Sequence, residues 1–136
     1  MSVDYWGIVG YGICLDDVSK YLNAEKVNDL VRKLMPKETF EEDVFDDDTF
    51  FGDPYSNLAE FLCEFDDERI FSWEDDGQGT AYFLYEPSYP WQIKPNSPVV
   101  MNDIKDRMIK ILKKIYDAPY EELENYIDFI STYGCC

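Results

Sequence analysis

Residues 69–86 read RIFSWEDDGQGTAYFLYE. Phe71 and Trp73 alternate with Ser72 and Glu74 before the turn Asp75-Asp76-Gly77-Gln78-Gly79. Ala81, Phe83 and Tyr85 alternate with Tyr82 and Leu84 after it. Two runs of period two around a glycine-rich turn predict a β-hairpin, with strands over 69–74 and 80–86.

Upstream, YWGIVGYGICL at 5–15 predicts a further strand. Val9, Tyr11, Ile13 and Leu15 share one face, while Gly10, Gly12 and Cys14 share the other. The small-residue face predicts a close neighbour, expected to be a helix. The spacing Gly7-x-x-Gly10-x-Gly12 is not the dinucleotide fingerprint, which needs GxGxxG between strand and helix. Asp16-Asp17 predict a turn. Asn23 is a cap for a helix over 24–35, whose apolar stripe is Val27, Leu30, Val31, Leu34 and Met35, and Pro36 ends it. Asn57 with Glu60 resembles a capping box for a short helix over 57–65 carrying Leu58, Phe61, Leu62 and Phe65.

Downstream, PSYPWQIKPNSP at 87–98 predicts a stiff extended loop in which Tyr89 and Trp91 either pack or form a contact patch. Asn102 or Asp103 opens a helix to about Tyr116, with Ile104, Met108, Ile111, Leu112, Ile115 and Tyr116 buried. Its outer side carries Lys105, Arg107, Lys110, Lys113 and Lys114. Asp117-Ala118-Pro119 is expected to cap a short helix over 119–125. YIDFISTY at 126–133 fits a helical stripe or a strand. Its β-branched and aromatic content, and Gly134 as a stop, favour a strand. The order is therefore β-α-(acidic insert with α)-β-β-α-(α)-β. That predicts one α+β domain over 1–136, an antiparallel sheet with helices on one face. It is of the ferredoxin-like split βαβ kind, with an acidic insert over 38–66. The alternative is a generic α+β fold.

Charge is the most unusual property of the chain. It holds 29 acids against 12 bases and no histidine, a formal net charge of −17. Glu38–Asp76 alone holds sixteen carboxylates and one base, Arg69, a formal −15. The flanking helices are basic, so the chain is dipolar rather than evenly acidic. Solubility rarely needs a magnitude above about 8. Such a charge repels nucleic acid and anionic membranes, and favours a basic partner with fast, salt-sensitive association. Aromatics at 17% argue for a folded chain, since disordered acidic segments lack them.

No run of about 18 apolar residues and no signal-peptide pattern is read, which predicts an intracellular, cytoplasmic protein. Cys14 and Cys63 are expected in the core as thiols, and Cys135-Cys136 form a vicinal pair. No zinc spacing occurs. Without histidine, Ser-His and Cys-His nucleophile arrangements are excluded. An EF-hand loop starting at Asp46 fails at Phe50, Phe51 and Asn57. No cofactor is expected. A carboxylate-dependent hydrolase stays open by composition alone, with no pair of acids marked out.

Three acidic runs remain: Glu41-Glu42-Asp43 with Asp46-Asp47-Asp48, Glu64 with Asp66-Asp67-Glu68, and Glu74-Asp75-Asp76. Carboxylates at a density near that of DNA phosphates, about one charge per 1.7 Å of axis, suit a site built for phosphates. Asp53 adds to them, and Phe45, Phe50, Phe51 and Tyr55 are either apolar anchors for a partner or core residues. In these runs the chain resembles phage-encoded inhibitors of bacterial defence, of the anti-CRISPR or anti-restriction type. That resemblance implies a non-enzymatic inhibitor occupying the nucleic-acid-binding groove of an effector nuclease. An immunity protein or antitoxin for a cationic nuclease toxin is the alternative built on the same physics.

Overall fold

A computed structural model describes residues 5–34, 54–85 and 98–135. The elements are β1 (Tyr5–Cys14), a 3-10 helix (Leu15–Tyr21), α1 (Ala24–Leu34), α2 (Pro54–Cys63), β2 (Phe71–Asp75), β3 (Ala81–Tyr85), α3 (Pro98–Leu112), α4 (Tyr120–Tyr126) and β4 (Asp128–Cys135). The four strands form one sheet in the order β2-β3-β1-β4. Every neighbouring pair is antiparallel. This is the expected α+β arrangement, with helices between β1 and β2 and again between β3 and β4.

The core lies on one face of the sheet. Tyr11 and Ile13 of β1, Phe71 of β2, and Ala81 and Phe83 of β3 are buried there. They join Val27 and Val31 of α1, Leu58 and Leu62 of α2, and Ile104, Met108 and Leu112 of α3. The stripes read from the sequence are thus the packed faces, at spacings that place them on one side of each helix.

The far ends of the sheet meet. β1 pairs with β4 from Tyr5 to Gly12 and with β3 from Tyr11 to Cys14. In a flat strand Trp6 would stand about 26 Å from Cys14, beside which the β2–β3 turn sits. Yet Trp6 Nε1 donates to the Asp75 carbonyl at 2.9 Å, and the Cys135 N–H donates to the Asp76 carbonyl at 3.0 Å. The β1–β4 ribbon therefore curls back onto the hairpin tip.

Gly12 sits where β1 passes from one partner to the other. A Cβ there would lie 2.0 Å from the Phe83 carbonyl oxygen. Glycine in a strand commonly marks such a bend or close approach. At Gly12 the close neighbour on the small-residue face of β1 is thus the backbone of β3. Ile8 and Leu84 lie on that face and are fully buried outside the main core.

Several boundaries differ from the sequence reading for local reasons. α2 begins at Pro54, not Asn57, and α3 begins at Pro98, not Asn102 or Asp103. Proline is preorganised for the first helical position, where its missing N–H costs nothing. The capping-box residue Asn57 therefore lies inside α2. Asp16-Asp17 open a 3-10 helix rather than a simple turn. Asn23 does cap α1, its Oδ1 accepting the Lys26 N–H at 3.2 Å.

α3 ends at Leu112, although Ile115 and Tyr116 remain buried beyond it. The Asn23 N–H reaches the Ile115 carbonyl at 2.8 Å, and the Asp117 N–H reaches the Tyr21 carbonyl at 2.7 Å. Asp117 does not cap α4. Its carboxylate accepts from Asn23 Nδ2 at 2.7 Å and pairs with Lys26. Gly134 is inside β4 and not a stop, because the Trp6 ring lies over it, 2.6 Å from where a Cβ would be. Cys14 and Cys63 are half-buried, less enclosed than expected. The loop expected over 87–98 falls outside the described residues up to 97, Tyr89 and Trp91 included.

Gly12→Ala should destabilise the fold by about 2 kcal/mol or more, because a backbone oxygen cannot move aside as a side chain can. Urea unfolding should show a lower midpoint at unchanged slope. An unchanged midpoint would contradict the bend.

Candidate acidic interface

The three acidic runs have different fates. Glu41, Glu42, Asp43, Asp46, Asp47, Asp48, Phe45, Phe50, Phe51 and Asp53 lie outside the described residues. Tyr55 falls in the first turn of α2. The helix that follows this run is anchored by the fully buried Leu58 and Leu62. Phe61 and Phe65 stack edge to face at 5.0 Å beside them.

In the second run, Asp66 turns inward. It is 9% exposed. Its carboxylate accepts from the backbone N–H of Glu68 at 3.3 Å, Ile70 at 2.5 Å and Phe71 at 3.0 Å. An aspartate carboxylate satisfying successive amides shapes a turn. This one carries the chain from α2 into β2, past Arg69 in the left-handed region at φ 53°. Asp66 is thus a structural carboxylate, and its side chain faces the fold rather than a partner. Asp67 stays exposed.

Glu68 is exposed and pairs with Arg107 of α3 at 2.5 Å. The guanidinium hydrogen bond, then its charge, holds the Glu68 carboxyl below the usual range. Arg107 also reaches Asp103 at 3.2 Å. A cleft of about 370 Å³ runs between this acidic turn and the basic side of α3, lined by Asp67, Lys110 and Lys114 among others. Lys114 lies 5.2 Å from the centre of the Phe65 ring. The basic side of α3 thus offsets this acidic turn.

The third run forms the hairpin tip. Glu74 is exposed on β2. Partial burial, then the neighbouring Asp75, raises its pKa. Asp75 Oδ1 accepts the Gly77 N–H at 2.9 Å. Asp76 Oδ1 accepts those of Gln78 at 2.8 Å and Thr80 at 3.0 Å. Burial pushes the Asp76 pKa up, but these hydrogen bonds outweigh it and leave it lowered. Two of these three acids therefore build the turn while adding charge at its surface.

Sequence reasoning missed an aromatic cluster. Tyr5, Phe129 and Tyr133 are 68%, 51% and 69% exposed. Tyr5 and Tyr133 stack edge to face at 6.3 Å, and Phe129 leans on Tyr11 at 5.2 Å. All four lie on the helix-bearing face of the sheet by strand parity, where the curled ribbon remains uncovered. The alternation Phe129, Ser131, Tyr133 was visible in the sequence, but the limit of helix coverage was not.

Among the described residues no cluster of three or more acidic, cysteine or histidine side chains is placed to hold a metal ion. Among them, too, no helix is long and apolar enough to cross a membrane. Compared with protein-family models, curated proteins and solved structures, the chain matches none.

Asp66→Ala should cost about 2–3 kcal/mol, since it strands three backbone donors. Asp67→Ala should stay within about 0.5 kcal/mol. Equal effects in thermal unfolding would contradict the assignment. The lowered Asp76 pKa gives a second check. Its stabilisation is present above the unfolded-state pKa of about 3.9 and is lost as pH falls through the depressed folded value. The stability gap between the parent chain and Asp76→Asn should therefore be widest at neutral pH and close below about pH 4. A gap that widens on acidification would reverse the sign and refute this role.

Proposed function

We propose that this chain is a non-enzymatic inhibitor that mimics nucleic acid. It binds the basic DNA- or RNA-binding surface of a partner protein, a nuclease. The observation that carries the proposal is the concentration of sixteen carboxylates against one base within Glu38–Asp76. A dense anionic surface suits a site evolved for phosphates, and the same charge repels nucleic acid itself.

The described part of the segment supports a folded surface. α2 is pinned by Leu58 and Leu62, and the hairpin tip is held by Asp75 and Asp76. A partner approaching these parts meets the exposed Asp67 and Glu74, with Glu68 shared with Arg107. Asp66 contributes through the turn it shapes. Phe50, Phe51 and Tyr55 belong to the proposal as apolar anchors that a phosphate backbone lacks. The proposed place of action is the host cytoplasm, where such a nuclease meets invading nucleic acid.

The test is recovery of a basic nuclease from host lysate on the immobilised chain, followed by binding to the purified partner. Affinity should fall steeply between about 50 and 200 mM salt, as for phosphate-like contacts. Reversal of Asp46, Asp47 and Asp48 to lysine should abolish it. Binding that survives both the reversal and high salt would sink the proposal.

A further inference from the structure

A cavity of about 490 Å³ opens where the β1–β4 ribbon curls onto the hairpin tip. Tyr5, Asp76, Gln78, Thr132, Tyr133 and Cys135 line it. The register sets Tyr5 opposite Cys135 and Gly7 opposite Tyr133, so the two tyrosines are diagonal neighbours on one face of the ribbon. Their rings meet edge to face at 6.3 Å and are 68% and 69% exposed. Most of each ring therefore stands open beside a carboxylate.

The tip side of the cavity is held in place. The Cys135 N–H donates to the Asp76 carbonyl at 3.0 Å, and Gln78 Nε2 donates to Cys135 Sγ at 3.1 Å. Asp76 Oδ1 accepts two tip amides. A carboxylate offers about four acceptor sites, so capacity for a further donor remains. Burial raises the Asp76 pKa less than its hydrogen bonds lower it, so it is ionised at neutral pH. The outward N–H of Cys135 also sets the strand parity. Alternate residues of an antiparallel strand face the same way, so Tyr133 turns its backbone carbonyl to the side of the tip as well. Among the described residues that line the cavity none is basic.

We propose that this cavity takes an arginine side chain of the basic partner, which rests on the inhibitor reading for the source of that arginine. A guanidinium is planar, weakly hydrated and carries its N–H donors in a rigid fork. It lies on an aromatic ring while donating to a carboxylate or carbonyl, and ring, carboxylate and carbonyl meet here. An ammonium lacks the planar face and holds its water more firmly. An apolar side chain would cover the ionised Asp76 without satisfying it. Arginine is concentrated on surfaces that recognise phosphate. Glu74 and Asp75, on the adjoining end of β2, add to the field that draws it. Tyr5 and Tyr133 offer that arginine ring contacts that a phosphate lacks.

Titration of the isotope-labelled full chain with N-acetyl-arginine amide tests this, with the lysine and citrulline analogues as controls. Citrulline keeps the shape of arginine without its charge. The arginine probe should shift the backbone amide signals of Gly77, Gln78, Tyr133 and Cys135, with a dissociation constant on the order of 10 mM. The lysine analogue should bind at least about threefold more weakly, and the citrulline analogue should leave these signals unmoved. Replacing both rings, Tyr5→Thr with Tyr133→Thr, should weaken arginine binding at least about fivefold. Tyr133→Phe keeps the ring and should stay within about twofold. Circular dichroism checks each fold; if the double variant unfolds, Tyr133→Thr alone carries the test. Shifts spread evenly over the acidic surface, equal binding of the lysine analogue, or binding indifferent to loss of the rings overturns the site. With the purified nuclease, the double variant should lose at least about tenfold in affinity. A nuclease that binds parent and variant equally overturns this inference and leaves the inhibitor reading standing. Arginine bound at the tip when no basic nuclease is recovered supports the site and counts against the inhibitor reading.

Discussion

One side chain closes this fold. Trp6 donates its indole N–H to the Asp75 carbonyl and lies over Gly134, with its ring edge against Gly77. Beside it, Cys135 holds the Asp76 carbonyl. The ends of the β1–β4 ribbon and the β2–β3 hairpin, which a flat sheet would keep apart, are thereby joined. Two glycines are required by it, Gly134 under the indole and Gly77 against the Cys135 carbonyl, while Gly12 admits the close approach of the β3 backbone at the bend. Ile8 and Leu84 are fully buried on the face away from the main core. The closure also sets the outer side of the ribbon, where Tyr5, Phe129 and Tyr133 stand open.

The carboxylates divide by what their oxygens touch. Asp66 and Asp76 are engaged by backbone amides, so they act first as turn-builders. Glu68, Glu124 and Asp117 are engaged by Arg107, Lys105 and Lys26. Such exposed pairs contribute little stability, but they place the basic helix faces against local acids. Asp67 and Glu74 remain more open. A count of acids along the sequence therefore measures the field of a surface better than it identifies contacts. The long-range field of the surface is the same whether or not a carboxylate also shapes a turn.

The elements were legible wherever periodicity was strong. The hairpin around Gly77 and Gly79, the stripe Val27–Leu30–Val31 and the stripe Ile104–Met108–Ile111 all lie where their spacing put them. The C-terminal strand followed from its β-branched and aromatic content. The helix starts at Pro54 and Pro98 were misread, because proline signals a turn and a first helical residue by the same stiffness. The bend at Gly12 was not legible. A small face tells of a close approach without saying whether helix or backbone makes it. For the acidic segment, composition showed where the charge is. It did not show that Asp66 is consumed by three amides, because that depends on the path from α2 into β2. The open aromatics depended likewise on where helix coverage ends.

The central claim is that the acidic surface takes the place of nucleic acid on its partner. The direct measurement is a competition titration: purified partner bound to labelled duplex or guide nucleic acid, with this chain added. The account predicts mutually exclusive binding, in which the chain displaces the nucleic acid and excess nucleic acid displaces the chain. A stable ternary complex, with nucleic-acid affinity unchanged at saturating chain, would contradict it.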